Sequence, residues 1–180
     1  YYCDKTVHVI INRENENFNL KYVLAIFNSK LMNYLYALMT EEAGRIFPQV
    51  KTVNTKQLPF KVSSADYQDS LINLVDLALE YGVKFSESLS KFESYLKKYY
   101  SLNELTKKLK KWDDLEFLDF IKELNKAIKK SNSNKITKND EIDLIEPFEL
   151  RKSKIKSLKN KIKEIEKKID ILVYEIYGLT

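Results

Sequence analysis

A chain of 180 residues holds one domain, or a small domain with a helical extension, and its 44% apolar content supports a real core. A net charge of +5 permits a polyanionic partner without demanding one. The lone Cys3 excludes an internal disulfide and a cysteine metal cluster, and no apolar run approaches the roughly 18 residues of a membrane span.

Thr6 to Ile11, TVHVII, is rich in β-branched residues between polar clusters and predicts a strand. Asn12 to Asn17, NRENEN, predicts a turn. Asn19 has the short polar side chain of an N-cap. From Leu20 the apolar positions Val23, Leu24, Phe27, Leu31, Tyr34, Leu35 and Leu38 recur at three and four, predicting an amphipathic helix that ends near Gly44. Ile46 to Phe60, IFPQVKTVNTKQLPF, holds Pro48 and Pro59 and mixes Phe47, Val50 and Val53 with polar residues. Proline fixes φ and removes a donor, so neither end is mid-helix. The stretch predicts one or two short strands around a basic turn, and with the preceding helix a small mixed α/β unit. Such a half-sheet would leave an edge open. The chain also does not open on Met, so a piece of a longer protein is expected.

Beyond Ser63-Ser64 the chain reads as helix. Leu71, Leu74, Ala78, Tyr81, Phe85, Leu89, Phe92, Leu96 and Tyr99 predict one long helix from about Ala65 to Tyr100, with Gly82 as a candidate bend. Shorter helices are predicted for Leu102 to Lys110 and Asp113 to Ile128, and a loop for Ser131 to Lys135. Pro147 suits the first turn of a last helix. There Ile155, Leu158, Ile162, Ile165, Ile169, Leu172 and Ile176 follow a heptad seam, closed by Gly178 as the C′ stop. The seam predicts an antiparallel, coiled-coil-like pairing with the long helix inside one chain, or else a homodimer. Folding back costs less entropy, so the monomer is the favoured expectation.

Three blocks, LKYVLAIFNSKLMNYLY (Leu20 to Tyr36), IFPQVKTVNTKQLPF and the final IDILVYEIYGLT (Ile169 to Thr180), together resemble the TaqI-like C-terminal specificity domain. That domain is the target-recognition part of combined restriction-modification enzymes and adenine-specific DNA methyltransferases. The resemblance implies double-stranded DNA as partner and a methyltransferase or nuclease part on the same polypeptide. It also implies S-adenosylmethionine, and Mg²⁺ if DNA is cleaved, as cofactors of the parent, with none bound by this piece.

The residues themselves show no complete catalytic site. Gly44, Gly82 and Gly178 are isolated, so no glycine-rich phosphate loop exists. His8 reads as a core or edge histidine, and with no second His or Cys zinc is implausible. Glu41-Glu42, Asp113-Asp114 and Asp140-Glu141 suit helix N-termini and solvated turns. No Asn/Asp-Pro-Pro-aromatic signature is present. Arg45, Lys51, Thr52, Asn54, Lys56, Gln57 and Lys61 combine phosphate-binding with base-reading side chains. A solvated loop would have the same composition, and the resemblance tips the reading towards DNA. Arg151, Lys152, Lys154 and Lys156 begin a basic face on the last helix. They are either further phosphate contacts or the charged flank that such helices carry. Lys97-Lys98 and Lys107 to Lys111 read as solubility faces.

The expected fold is therefore α+β, mostly α. A mixed α/β recognition part spans 1–62, and a helical part spans 63–180 with long helices about 65–100 and 147–177. The expected function is sequence-specific DNA recognition in the cytoplasm, without catalysis in this piece. The alternatives are a helical interaction or dimerisation module and a specificity subunit of a multi-subunit restriction system.

Overall fold

A computed structural model describes residues 10–12, 18–40, 51–131 and 136–179. Its helices are α1 (Leu20–Asn28), α2 (Lys30–Met39), α3 (Thr52–Thr55), α4 (Ala65–Tyr99), α5 (Phe117–Lys130) and α6 (Lys138–Tyr177), with a 3₁₀ helix at Leu109–Asp114. Among the described residues there is no strand, which corrects the α+β expectation: the fold is all-α. Ile10 and Ile11 lie in irregular chain, and the rest of the expected first strand and of the Pro48 region falls outside the described residues. The error at 52–55 has a physical cause. Phe47, Val50 and Val53 are three apart, a helical rather than a strand period. A strand also needs a partner for its ladder, whereas the turn satisfies itself. Thr55 N–H and Thr55 Oγ1 both donate to the Lys51 carbonyl, at 3.0 and 3.1 Å.

The chain forms two compact units, Tyr1–Leu79 with Lys163–Thr180, and Glu80–Ile162; α4 and α6 each give a segment to both. In the first unit the predicted N-cap Asn19 accepts from Lys21 N–H at 2.9 Å. The helix expected from Leu20 to Gly44 is broken at Ser29. Buried Ser29 ends α1 and caps α2, donating to the Ile26 carbonyl at 2.7 Å and accepting from Met32 N–H at 3.3 Å. Buried Asp170 then accepts from Lys30 N–H at 2.8 Å, placing a carboxylate at the α2 N-terminus where orphan donors and the helix dipole favour it. Tyr22, Ile26, Met32, Leu71, Val75, Ile169, Val173 and Ile176 are the buried apolar body of this unit.

The second unit has the aromatic core. Phe92, Trp112, Phe120 and Phe148 are fully buried and stand ring to ring, with centroids 4.5 Å apart for Phe92 and Trp112 and 4.6 Å for Phe120 and Phe148. The helix expected over Leu102 to Lys110 is absent. The chain turns at Ser101, with φ of 50°, and inserts Leu102, Leu105, Leu109 and Trp112 into that core. α5 starts at Phe117, four residues later than expected. The last helix starts at Lys138 rather than at Pro147, which is carried inside it. Thr137 and Asp140 cap each other: Asp140 Oδ2 accepts from Thr137 N–H at 2.8 Å, and Asp140 N–H donates to Thr137 Oγ1 at 3.2 Å. At the other end Gly178 takes φ of 70°, and Leu179 N–H closes onto the Tyr174 carbonyl.

Candidate nucleic-acid interface

The 51–63 stretch is held at both ends by tyrosine hydroxyls. Lys51 N–H donates to Tyr36 Oη at 2.8 Å. At the far end Tyr177 Oη donates to the Pro59 carbonyl at 2.5 Å and accepts from Lys61 N–H at 3.1 Å. Burial pushes the Tyr177 phenol above its ordinary pKa, so it keeps the proton it donates. Tyr22, fully buried, donates to the Lys61 carbonyl at 2.7 Å and accepts from Ser63 N–H at 3.2 Å. Leu58 is buried, and Phe60 packs against Phe18, Tyr22 and Phe27. These anchors present α3 as a fixed turn on the first unit.

Lys51, Thr52, Val53, Lys56 and Gln57 are exposed on that turn, and Asn54 is half-buried. Thr52 and Lys56 are four apart, so they share one face. Gln57 is more exposed than Asn54. Lys61 points elsewhere: its Nζ donates to the Ile176 carbonyl at 2.7 Å, in the last turn of α6. There a cation completes orphan carbonyls and complements the dipole. Arg45 lies outside the described residues.

The basic candidates of α6 sit in the second unit and divide in two. Arg151 donates to the Pro147 carbonyl at 2.9 Å and lies 5.0 Å from the Phe92 ring centroid. Lys152 donates to the Leu115 carbonyl at 2.9 Å and to Glu116 at 2.8 Å. Both are spent on tying elements together. Lys159 does the same with Asp113 at 2.6 Å, and Asp113 holds the Lys159 ammonium above its ordinary pKa. Lys154 and Lys156 are exposed, with no ion-pair partner among the described residues. Nothing in the sequence singles out the tyrosine anchors Tyr22, Tyr36 and Tyr177. Their partners lie up to 118 residues away, and no local signal names them. Among the described residues no group of three His, Cys, Asp or Glu side chains is placed to hold a metal, and no helix is long and apolar enough to cross a membrane.

Residues 1–60 match the family model of the TaqI-like C-terminal specificity domain. Residues 64–173 match that of Domain of unknown function (DUF8810). The first match takes in two of the three blocks that carry the resemblance and stops short of Ile169 to Thr180. Comparison with curated proteins and with solved structures finds no match.

Proposed function

We propose that this chain, which belongs to the DUF8810 family and carries a TaqI-like C-terminal specificity domain, reads the DNA target of a restriction-modification enzyme. The observation that carries the reading is the coincidence of that domain with the anchored 51–57 turn, which offers Lys51, Lys56 and Gln57 to solvent. Lysines there would meet phosphates and fix register, while Gln57, with Asn54 behind it, would meet base edges. A turn held at both ends loses little entropy on binding. In this reading the boundary near residue 62 separates the reading part from the helical part, and the protein works in the cytoplasm. S-adenosylmethionine, and Mg²⁺ where DNA is cut, belong to the methyltransferase or nuclease part of the same polypeptide.

The test is duplex binding by the full-length protein over a range of salt. Lys51→Ala and Lys56→Ala should each weaken all sequences alike and reduce the salt slope by about one. Gln57→Ala should cost on the order of 1–3 kcal/mol on a preferred sequence selected from a random pool and little on others. Unchanged affinity and slope in the two lysine variants would show that this turn does not face DNA.

A further inference from the structure

The second unit carries an open groove of about 590 Å³ lined by Thr106, Lys108, Glu123, Lys126, Lys129 and Lys130. Thr106 and Lys108 come from the turn before the 3₁₀ helix; the others come from α5. Glu123, Lys126 and Lys130 are spaced three and four apart, so α5 presents them on one face. Glu123 is buried, 7% exposed, and its carboxylate is already committed. It accepts from Lys126 Nζ at 2.7 Å and from Thr106 Oγ1 at 3.1 Å. It thereby orients Lys126, whose side chain stays exposed, and leaves that ammonium two further donors. Hydrogen bonds from Lys126 and Thr106 hold the Glu123 carboxyl low and one from Lys122 does the same for Asp119, with Lys108 adding a smaller push to each. Lys108, Lys129 and Lys130 are exposed, with no ion-pair partner among the described residues.

We infer that this groove is a second nucleic-acid contact, taking the phosphodiester backbone. With Lys126 paired to Glu123, the remaining Lys108, Lys129 and Lys130 give the groove a positive lining. The lining has no aromatic or branched apolar residue, and its apolar surface comes from Thr106, Glu123 and the stems of lysines. Lysines are point charges on flexible stems, suited to a regularly spaced row of phosphates rather than to bidentate recognition of one carboxylate. With no Asn, Gln or Arg in the lining, the groove would position DNA without reading it. The inference takes only its choice of polyanion from the function proposed above; its residues belong to a different unit.

The experiment is binding of the full chain to a duplex of unrelated sequence at several salt concentrations. The combined Lys108→Gln, Lys129→Gln, Lys130→Gln variant should lose on the order of tenfold to a hundredfold in affinity near 0.15 M salt. Its salt slope should fall by about two to three. The same positions changed to Arg keep the charge and should keep the slope. Lys98→Gln, at an exposed lysine of α4 outside the groove lining, should change little. An unchanged slope in the Gln variant, or an equal loss in Lys98→Gln, overturns the proposal. So does binding of inorganic phosphate that disappears in the Gln variant while duplex binding persists, which would make this a small-anion site. The single Lys130→Gln change gives the same comparison should the combined variant melt early. Lys51→Ala with Lys56→Ala is measured beside it: loss in one set and not the other separates the two surfaces.

Discussion

Lys61 and Lys56 have the same side chain five residues apart, and the fold gives them opposite tasks. Lys56 stands in solvent on the α3 turn, while Lys61 completes the end of α6 through the Ile176 carbonyl. Lys61→Ala should therefore lower stability by about 0.5–1.5 kcal/mol, the usual worth of one hydrogen bond. Lys56→Ala should leave it within about 0.5 kcal/mol. Denaturant unfolding of the two variants separates them, and equal losses would mean that the Ile176 contact contributes nothing. Sequence gives the charge of each lysine but not its direction. Arg151 and Lys152 show the same gap, since the Phe92 ring and the Leu115 carbonyl that claim them are distant in the chain. Gln57 and Asn54 were equivalent as letters and differ only in exposure.

At the scale of elements, length decided what could be read. α4 and α6 span 35 and 40 residues, and three- and four-residue spacing over so many turns leaves no other period open. The four-residue α3 has no such redundancy, and two flanking prolines argued for extended chain where a local turn formed. Pro147 alone reads as a helix beginning, whereas α6 starts where Thr137 and Asp140 spell a capping pair. Pro147 removes one backbone donor within the helix, so Pro147→Ala should raise stability by on the order of 1–3 kcal/mol. A lower melting temperature would show that the ring's packing outweighs the lost bond. Acid should act at the other end of this segment. The Thr137 backbone N–H holds the Asp140 carboxyl below its ordinary pKa. A carboxyl depressed in the fold contributes stability above its unfolded pKa and loses it as pH falls through the folded value. Protection of the amides in the first turn of α6, with exchange corrected for its intrinsic pH dependence, should thus fall as pH is lowered through that range. Asp140→Asn should flatten the response.

For the molecule as a whole, the open question from sequence was what covers the apolar seam of the last helix. Of its seven positions Ile155, Leu158, Ile165, Ile169 and Ile176 are buried within the single chain, while Ile162 and Leu172 are half-covered. Val173, outside the regular seam, is fully buried in its place. Within the second unit, Arg151 and Lys161 of α6 lie over Phe92 and Tyr81 of α4, so numbers rise along one helix as they fall along the other. Within the first, Tyr67 Oη donates to Glu175 at 3.3 Å. Burial within one chain covers five of the seven seam positions, and we propose that α4 of the same chain is what covers them and that the chain is a monomer. The melting temperature should then be independent of protein concentration over about two decades, because unfolding of a monomer has no concentration term. Ile165→Ala should cost roughly 2–5 kcal/mol, and half-covered Ile162→Ala distinctly less, by the same amount at every concentration. A melting temperature that climbs with concentration, with the Ile165→Ala penalty largest when dilute, would move the seam to an interface between copies.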